Sequence, residues 1–244
     1  MRRQRSLRSV PTSVFLMLAV GLSLQVLYQT WVLQSPAKEE NLPPAPDTSV
    51  LTVLSLGDSI TLSKLTMLWL QAFDNQPGVS LPLAQLDYDH LEAWLSRIVA
   101  LDPKGQYPLL AASRIYAEVN HPAKQRQMME FVYHQYFQDP TRRWPWLAQV
   151  AVSAKHRLKD LSLALKYAQA IADNENGKAI PHWAKQMDVF ILEEMGEYES
   201  AQLLIGGLLT SGTIVDKHEI HFLEQQLSKM EAKHRLQQNS EVDQ

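Results

Sequence analysis

Three groups of residues have the types and spacing to do chemistry. The first is Gly57-Asp58-Ser59, behind the apolar run Leu54-Ser55-Leu56. A serine set on a turn can act as a nucleophile when a base and an oxyanion hole stand beside it. The same three residues also read as a turn plus a helix cap, which accounts for each of them without catalysis. The second is His218-Glu219-Ile220-His221. Two histidines three apart on a helix can reach one ion, but this is not the His-Glu-x-x-His spacing, and no third ligand follows. They read as surface or capping residues, with no metal and no cofactor expected. The third is a set of aromatic and cationic side chains: Tyr107, Trp144, Trp146 and Trp183 with Arg114, Arg126, Arg142 and Arg143. Tyr107 and Trp144 each stand just before a proline that suits the first turn of a helix, so they should recur on one rim of the fold. Aromatic rings and guanidinium groups are enriched at interface hot spots, which makes these eight the candidate partner-binding residues. Rings wedged into the core and arginines neutralised by nearby carboxylates are the competing reading.

The stretch Leu54 to Thr61 looks like the nucleophile block of the GDSL/SGNH hydrolase family, with Ser59 as the nucleophile and an apolar strand delivering it. That resemblance implies a Gly-x-Asn-Asp segment and a late Asp-x-x-His. Neither stands where it is required: Asp87-x-x-His90 comes far too early, and Asp216-x-x-Glu219 ends on the wrong residue. No strand-like run follows residue 61. Serine hydrolysis is therefore the third reading, behind two that are not enzymatic.

Composition narrows the field further. The 244 residues contain no cysteine, so disulfides, thiolate catalysis and cysteine-ligated metal sites are excluded. A net charge of −3 offers no basic face for nucleic acid. Nine glycines are few for an all-β chain with its many tight turns.

The elements that must position these residues are helices. Asp102-Pro103 followed by Tyr107-Pro108-Leu109-Leu110-Ala111 reappears as Asp139-Pro140 followed by Trp144-Pro145-Trp146-Leu147-Ala148, 37 residues on. Pro181-His182-Trp183-Ala184 follows 36 residues later, and a worn copy begins another 36 on at Lys217, with Asp216 as its cap. Repetition at this period marks stacked helical hairpins. Apolar periodicity and breakers predict helices over 59–73, from Asp87 to Leu101, and over 107–119, 122–138, 144–158, 160–174, 181–195, 197–211 and 216–236. Short connections between them imply antiparallel neighbours. Alanines 111, 112, 148, 151 and 154 should let backbones approach, and Gly206-Gly207 inside a helix suggests close passage of a neighbour. Gly196-x-Tyr198-x-x-Ala201-x-x-x-Ile205-x-x-Leu208 and Asp160-Leu161-x-x-Ala164-x-x-x-Ala168-x-x-Ile171 follow the second-helix pattern of the tetratricopeptide-repeat family. The chain resembles a degenerate member of that family over residues 86–212. The resemblance implies an all-α solenoid (TPR-like) whose groove binds protein segments.

Ahead of the array, Arg2, Arg3, Arg5 and Arg8 precede Val14–Leu33, which carries no charge. Twenty residues at about 1.5 Å each span roughly 30 Å, enough for a bilayer core. The basic tail, residues 1–13, places the N-terminus in the cytoplasm. The layout resembles that of bacterial inner-membrane proteins, which implies a periplasmic C-terminal domain. A cleaved signal peptide fits less well, because the apolar run is long and the first small-x-small site, Ser35-Pro36-Ala37, has proline in its middle. Residues 34–49 read as a Pro-rich spacer, 50–236 as the repeat domain and 237–244 as a disordered tail. The expected role is a single-pass membrane scaffold that binds a protein partner, touches lipid through residues 14–33 and binds no nucleic acid. A structural accessory subunit of a membrane complex is the second reading.

Overall fold

Caps and breakers in the sequence account for most helix ends. The computed structural model describes residues 11–32, 41–76, 79–80, 82–174, 180–212, 214 and 216–242. The expected basic tail (up to residue 10), residue 33 and the first part of the spacer lie outside these. Twelve α-helices are described: α1 (Thr12–Val32), α2 (Thr48–Leu54), α3 (Ser59–Gln71), α4 (Tyr88–Leu101), α5 (Tyr107–Arg114), α6 (Pro122–Tyr136), α7 (Pro140–Ser153), α8 (Leu161–Ala172), α9 (His182–Lys185), α10 (Met187–Met195), α11 (Tyr198–Thr210) and α12 (Lys217–Val242). The described residues are all-helical but for a minimal hairpin, β1 (Asn75–Gln76) against β2 (Val79–Ser80), antiparallel with Asn75 opposite Ser80.

Asp58 caps α3 by accepting from the Thr61 N–H at 3.0 Å, and Asp160 caps α8 by accepting from the Leu163 N–H at 2.9 Å. Asp87 accepts from the N–H groups of Asp89 and His90 at the start of α4, and Asp216 from that of His218 at the start of α12. Each carboxylate satisfies donors that a helix start otherwise leaves orphaned. Gly196 ends α10 at φ +80°, in the left-handed region glycine enters without strain. Lys159 does the same job less cheaply at φ +53°, after a π-helical turn over Ala154–Leu158 that closes α7.

Among the described residues, helix α1 is the one membrane candidate. From Thr12 to Trp31 it is long and apolar enough to cross a bilayer, and its side chains over this range are exposed. The remaining helices build two cores. The larger runs from Leu42 and Met67 through Leu91, Leu109, Met128, Leu147 and Ala164 to Ile191. The smaller gathers Val189, Leu192, Ala201, Ile205, Leu223 and Met230 from α10, α11 and α12. Contacts join α3 to α4, then α4, α5, α6, α7 and α8 each to the next, and α10 to α11 and α11 to α12; they also join α4 to α6, α5 to α7 and α8 to α10. Alanines 111, 112, 148, 151 and 154 are buried, as their role in close backbone approach requires.

Several expectations are corrected. Pro145 lies inside α7, which opens at Pro140, so the Tyr107 and Trp144 copies do not occupy equivalent helix positions. Pro140 supplies the fixed backbone angle that a first turn favours, and so starts the helix four residues early. The helix expected over 181–195 breaks at Gln186 into α9 and α10. A Cβ placed on Gly206 or Gly207 would meet nothing within 4 Å, so no neighbour passes close there. Helix α2 replaces the strand that would deliver Ser59, which is simply the first residue of α3. Helix α12 continues past residue 236, to Val242, into the stretch expected to be a disordered tail.

The spacer also differs in its described part. Residues 41–46 are not a free extended chain but a strap on α4. Leu42 is 2% exposed, and its carbonyl accepts from His90 Nδ1 at 2.6 Å. Trp94 Nε1 donates to the Pro43 carbonyl at 2.8 Å, and Arg97 Nε to that of Pro46 at 3.1 Å. Prolines give up their own donors but keep carbonyls for α4 to bind.

Candidate partner-binding cleft

The eight candidate residues do not converge on one groove. Arg126 pairs with Asp160 at 2.7 Å, both partly in water. The hydrogen bond holds the Asp160 carboxyl below its ordinary range and raises the guanidinium. Arg142 pairs with Asp139 at 2.5 Å, and Arg114 reaches Gln149 at 3.3 Å. Arg143 is buried. Its Nη1 donates to the Gln135 carbonyl at 2.6 Å, at the end of α6, and to Gln135 Oε1 at 3.1 Å. Its Nη2 donates to the Pro103 carbonyl at 3.0 Å, in the turn after α4. Burial lowers its pKa, and its Nε has no partner. Arg143 is a structural tie between three helices.

Trp144 and Trp183 meet edge to face, with centroids 5.5 Å apart, and Trp183 remains 57% exposed. Trp146 is partly buried and donates from Nε1 to Gln106 Oε1 at 2.8 Å. Tyr107 is separate from this pair. Its hydroxyl accepts from Gln71 Nε2 at 2.8 Å, which joins the start of α5 to the end of α3.

Tyr107 thereby closes one wall of a cleft of about 550 Å³. Met67, Leu68 and Gln71 of α3 form a second wall, and Ile98 of α4 with Asp102 just beyond its end the base. Ser63 Oγ donates to the Ile98 carbonyl at 3.1 Å and fixes α3 to that base. The turn between α4 and α5 folds tightly onto its own cap. A Cβ on Gly105 would stand 2.8 Å from Asp102 Oδ2 and 3.2 Å from the Asp102 carbonyl, so a side chain there would push the Asp102 carboxylate aside. The lining surface is mainly apolar, with Ser63, Lys64, Gln71, Asp102 and Gln106 as its polar groups, the usual make-up of a site that holds an organic group or an apolar side chain.

The cleft opens onto an uncovered apolar face. Leu65 and Leu68 of α3 are 58% and 66% exposed, and Trp69 packs edge-on to Phe73 with its ring 4.7 Å from Trp94. Val53, Leu54 and Leu56 extend exposed apolar surface from α2 into the turn beyond it. Leu56 also sits at φ +49°, a region a branched side chain seldom enters. Of the eight candidates only Tyr107 touches this cleft. Leu65, Leu68, Gln71 and Gly105 were not singled out as site residues, although α3 carries leucine on both of its faces, and a helix apolar all round is one that something covers.

The remaining motifs stay apart from the cleft. His221 lies beside Glu224 and Gln225 on α12, and no third ligand joins it and His218 among the described residues. The chain matches no protein-family model, and comparisons with curated proteins and with solved structures return no match. The described residues therefore define a helical protein with one membrane-compatible helix and an apolar cleft.

Proposed function

We propose that this protein is a single-pass membrane scaffold whose α-hairpin array binds an apolar segment of a partner protein in the cleft between α3, α4 and α5. The cleft and the exposed Leu65–Leu68 face beside it carry this reading, since nothing among the described residues covers that face. Contacts between each helix and the next, with added contacts to the next but one, support a stacked-hairpin solenoid of the tetratricopeptide kind. In such arrays end units carry a polar outer face, and α2 and α3 do not. The partner segment is helical or extended and contributes leucine-like anchors to the cleft. Helix α1 crosses the membrane with its N-terminus in the cytoplasm and holds the array on the far side.

Photo-cross-linkers placed at Leu68 and Tyr107 in the full chain, in its native membrane, test the reading. A discrete protein adduct from both positions, with none from exposed Phe137, is the expected result. Absence of any adduct at 68 and 107 overturns it. The breadth of the apolar face on α2 favours the second reading, a permanent accessory subunit of a membrane complex. In that case the adduct forms only when residues 1–32 are present, whereas a groove scaffold keeps its partner without them.

A further inference from the structure

A second cavity, of about 510 Å³, lies between the end of α8, the α9–α10 junction and α11, and does not depend on the cleft described above. Ala172, Val189, Leu203, Leu204 and Leu208 give it apolar wall, and Gln186 and Ser211 add neutral polar groups. Asp188 lines it and is 6% exposed. One of its oxygens accepts from the N–H of the next residue, Val189, at 2.9 Å. No cation and no side-chain donor reaches the carboxylate among the described residues. The other charged groups on the walls are Asp173 and Lys185, and His182 also stands there. Lys185 is directed elsewhere, donating to the Asn174 carbonyl at 3.1 Å. Burial raises the Asp188 carboxyl to about 6, and the negative field of Asp173 adds to the rise. A first-turn carboxylate is favoured by the helix dipole, but that preference is met equally well at the surface. Buried charges are ordinarily paired. Here the charge faces open volume.

The opposite wall keeps that volume open. Gly207 lines the cavity from inside α11, and a Cβ there would meet nothing within 4 Å. Glycine in a helix interior costs roughly 1 kcal/mol relative to alanine, with no packing return at this position. Space, apolar wall and one buried anion without a cationic partner among the described residues together describe a receptor for a cation on a hydrocarbon stem.

We propose that this cavity binds a primary ammonium group carried on an aliphatic stem, with Asp188 as its counterion and Leu203, Leu204 and Leu208 around the stem. A free alkylamine and a lysine side chain of a partner share this chemistry. Calorimetry on the full chain in detergent at pH 7.5 uses three probes: n-butylammonium, n-butanol and the capped tripeptide acetyl-Ala-Lys-Ala-amide. At least one cationic probe should bind about tenfold or more tightly than the alcohol. Tighter binding of butylammonium assigns the site to free amines, and tighter binding of the tripeptide to a partner lysine. Asp188→Asn should reduce the cationic probe to the level of the alcohol. Gly207→Leu, which fills the cavity and leaves Asp188 in place, should abolish binding of every probe. Equal affinity for cation and alcohol, or undiminished cation binding in either variant, overturns the proposal. Since photo-adducts at positions 68 and 107 report on the other cleft, failure of one assignment leaves the other standing.

Discussion

Asp188 and Arg143 are both buried charges, and they have opposite consequences. The Asp188 pKa rises from 3.8 to about 6 on folding. The folded chain then holds its proton more tightly than the unfolded chain does. Its contribution is favourable below pH 4 and is lost as pH climbs through 6. Above that window the buried charge opposes folding by on the order of 2–3 kcal/mol. Asp188→Asn should accordingly raise the denaturation midpoint at pH 7.5, and the gain should vanish near pH 4; a destabilised variant at neutral pH would show that the charge is compensated. Arg143 behaves in the other way, because it satisfies the Gln135 and Pro103 carbonyls. Arg143→Ala leaves buried acceptors without donors and should cost about 2–4 kcal/mol in urea unfolding. Arg126→Ala breaks only a partly exposed pair and should cost about 1 kcal/mol or less. Sequence spacing alone could not separate these two arginines. Both stand near carboxylates and aromatics, and what differs is whether a neighbouring helix end turns its carbonyls toward the guanidinium.

Helix starts were the most legible elements. Asp87, Asp160 and Asp216 act as caps where local sequence places them, because capping is settled within four residues. Pro145 shows where local reasoning stops: a proline tolerated at helix starts is read as one, yet Pro140 had already opened α7. The strap was illegible for a related reason. Pro43, Pro44 and Pro46 look like a spacer, and their docking depends on Trp94 and Arg97, some fifty residues away. Leu42→Ala should therefore destabilise the fold by about 2–4 kcal/mol, the range for a buried leucine, where a free spacer would show none. On α3, Leu65→Ser and Leu68→Ser should change stability by no more than about 0.5 kcal/mol, since those side chains are already in water. The same substitutions should weaken photo-adducts from Tyr107, which separates a recognition face from a packing one.

At the scale of the molecule, the all-helical class and the membrane-compatible segment were readable because both rest on composition and period over many residues. The cleft was not readable, because it arises where Gln71 meets Tyr107 and Gly105 folds onto Asp102, contacts that repeat spacing does not encode. Removing residues 1–32 should shift the chain from the membrane pellet to the soluble fraction after carbonate extraction, with the helical circular-dichroism signal per residue of the remainder retained. Retention in the pellet would mean that the α2–α3 face itself holds lipid or an integral partner.

The strap has a mechanical meaning as well. Tension entering at Asn41 meets Leu42, Trp94 and Arg97 before it can reach α2 or α3. The first event in a single-molecule pull from the N-terminal side should be the peeling of that short segment from α4, at lower force than any helix pair gives way. Until it peels, the exposed Leu65–Leu68 face is insulated from that pull.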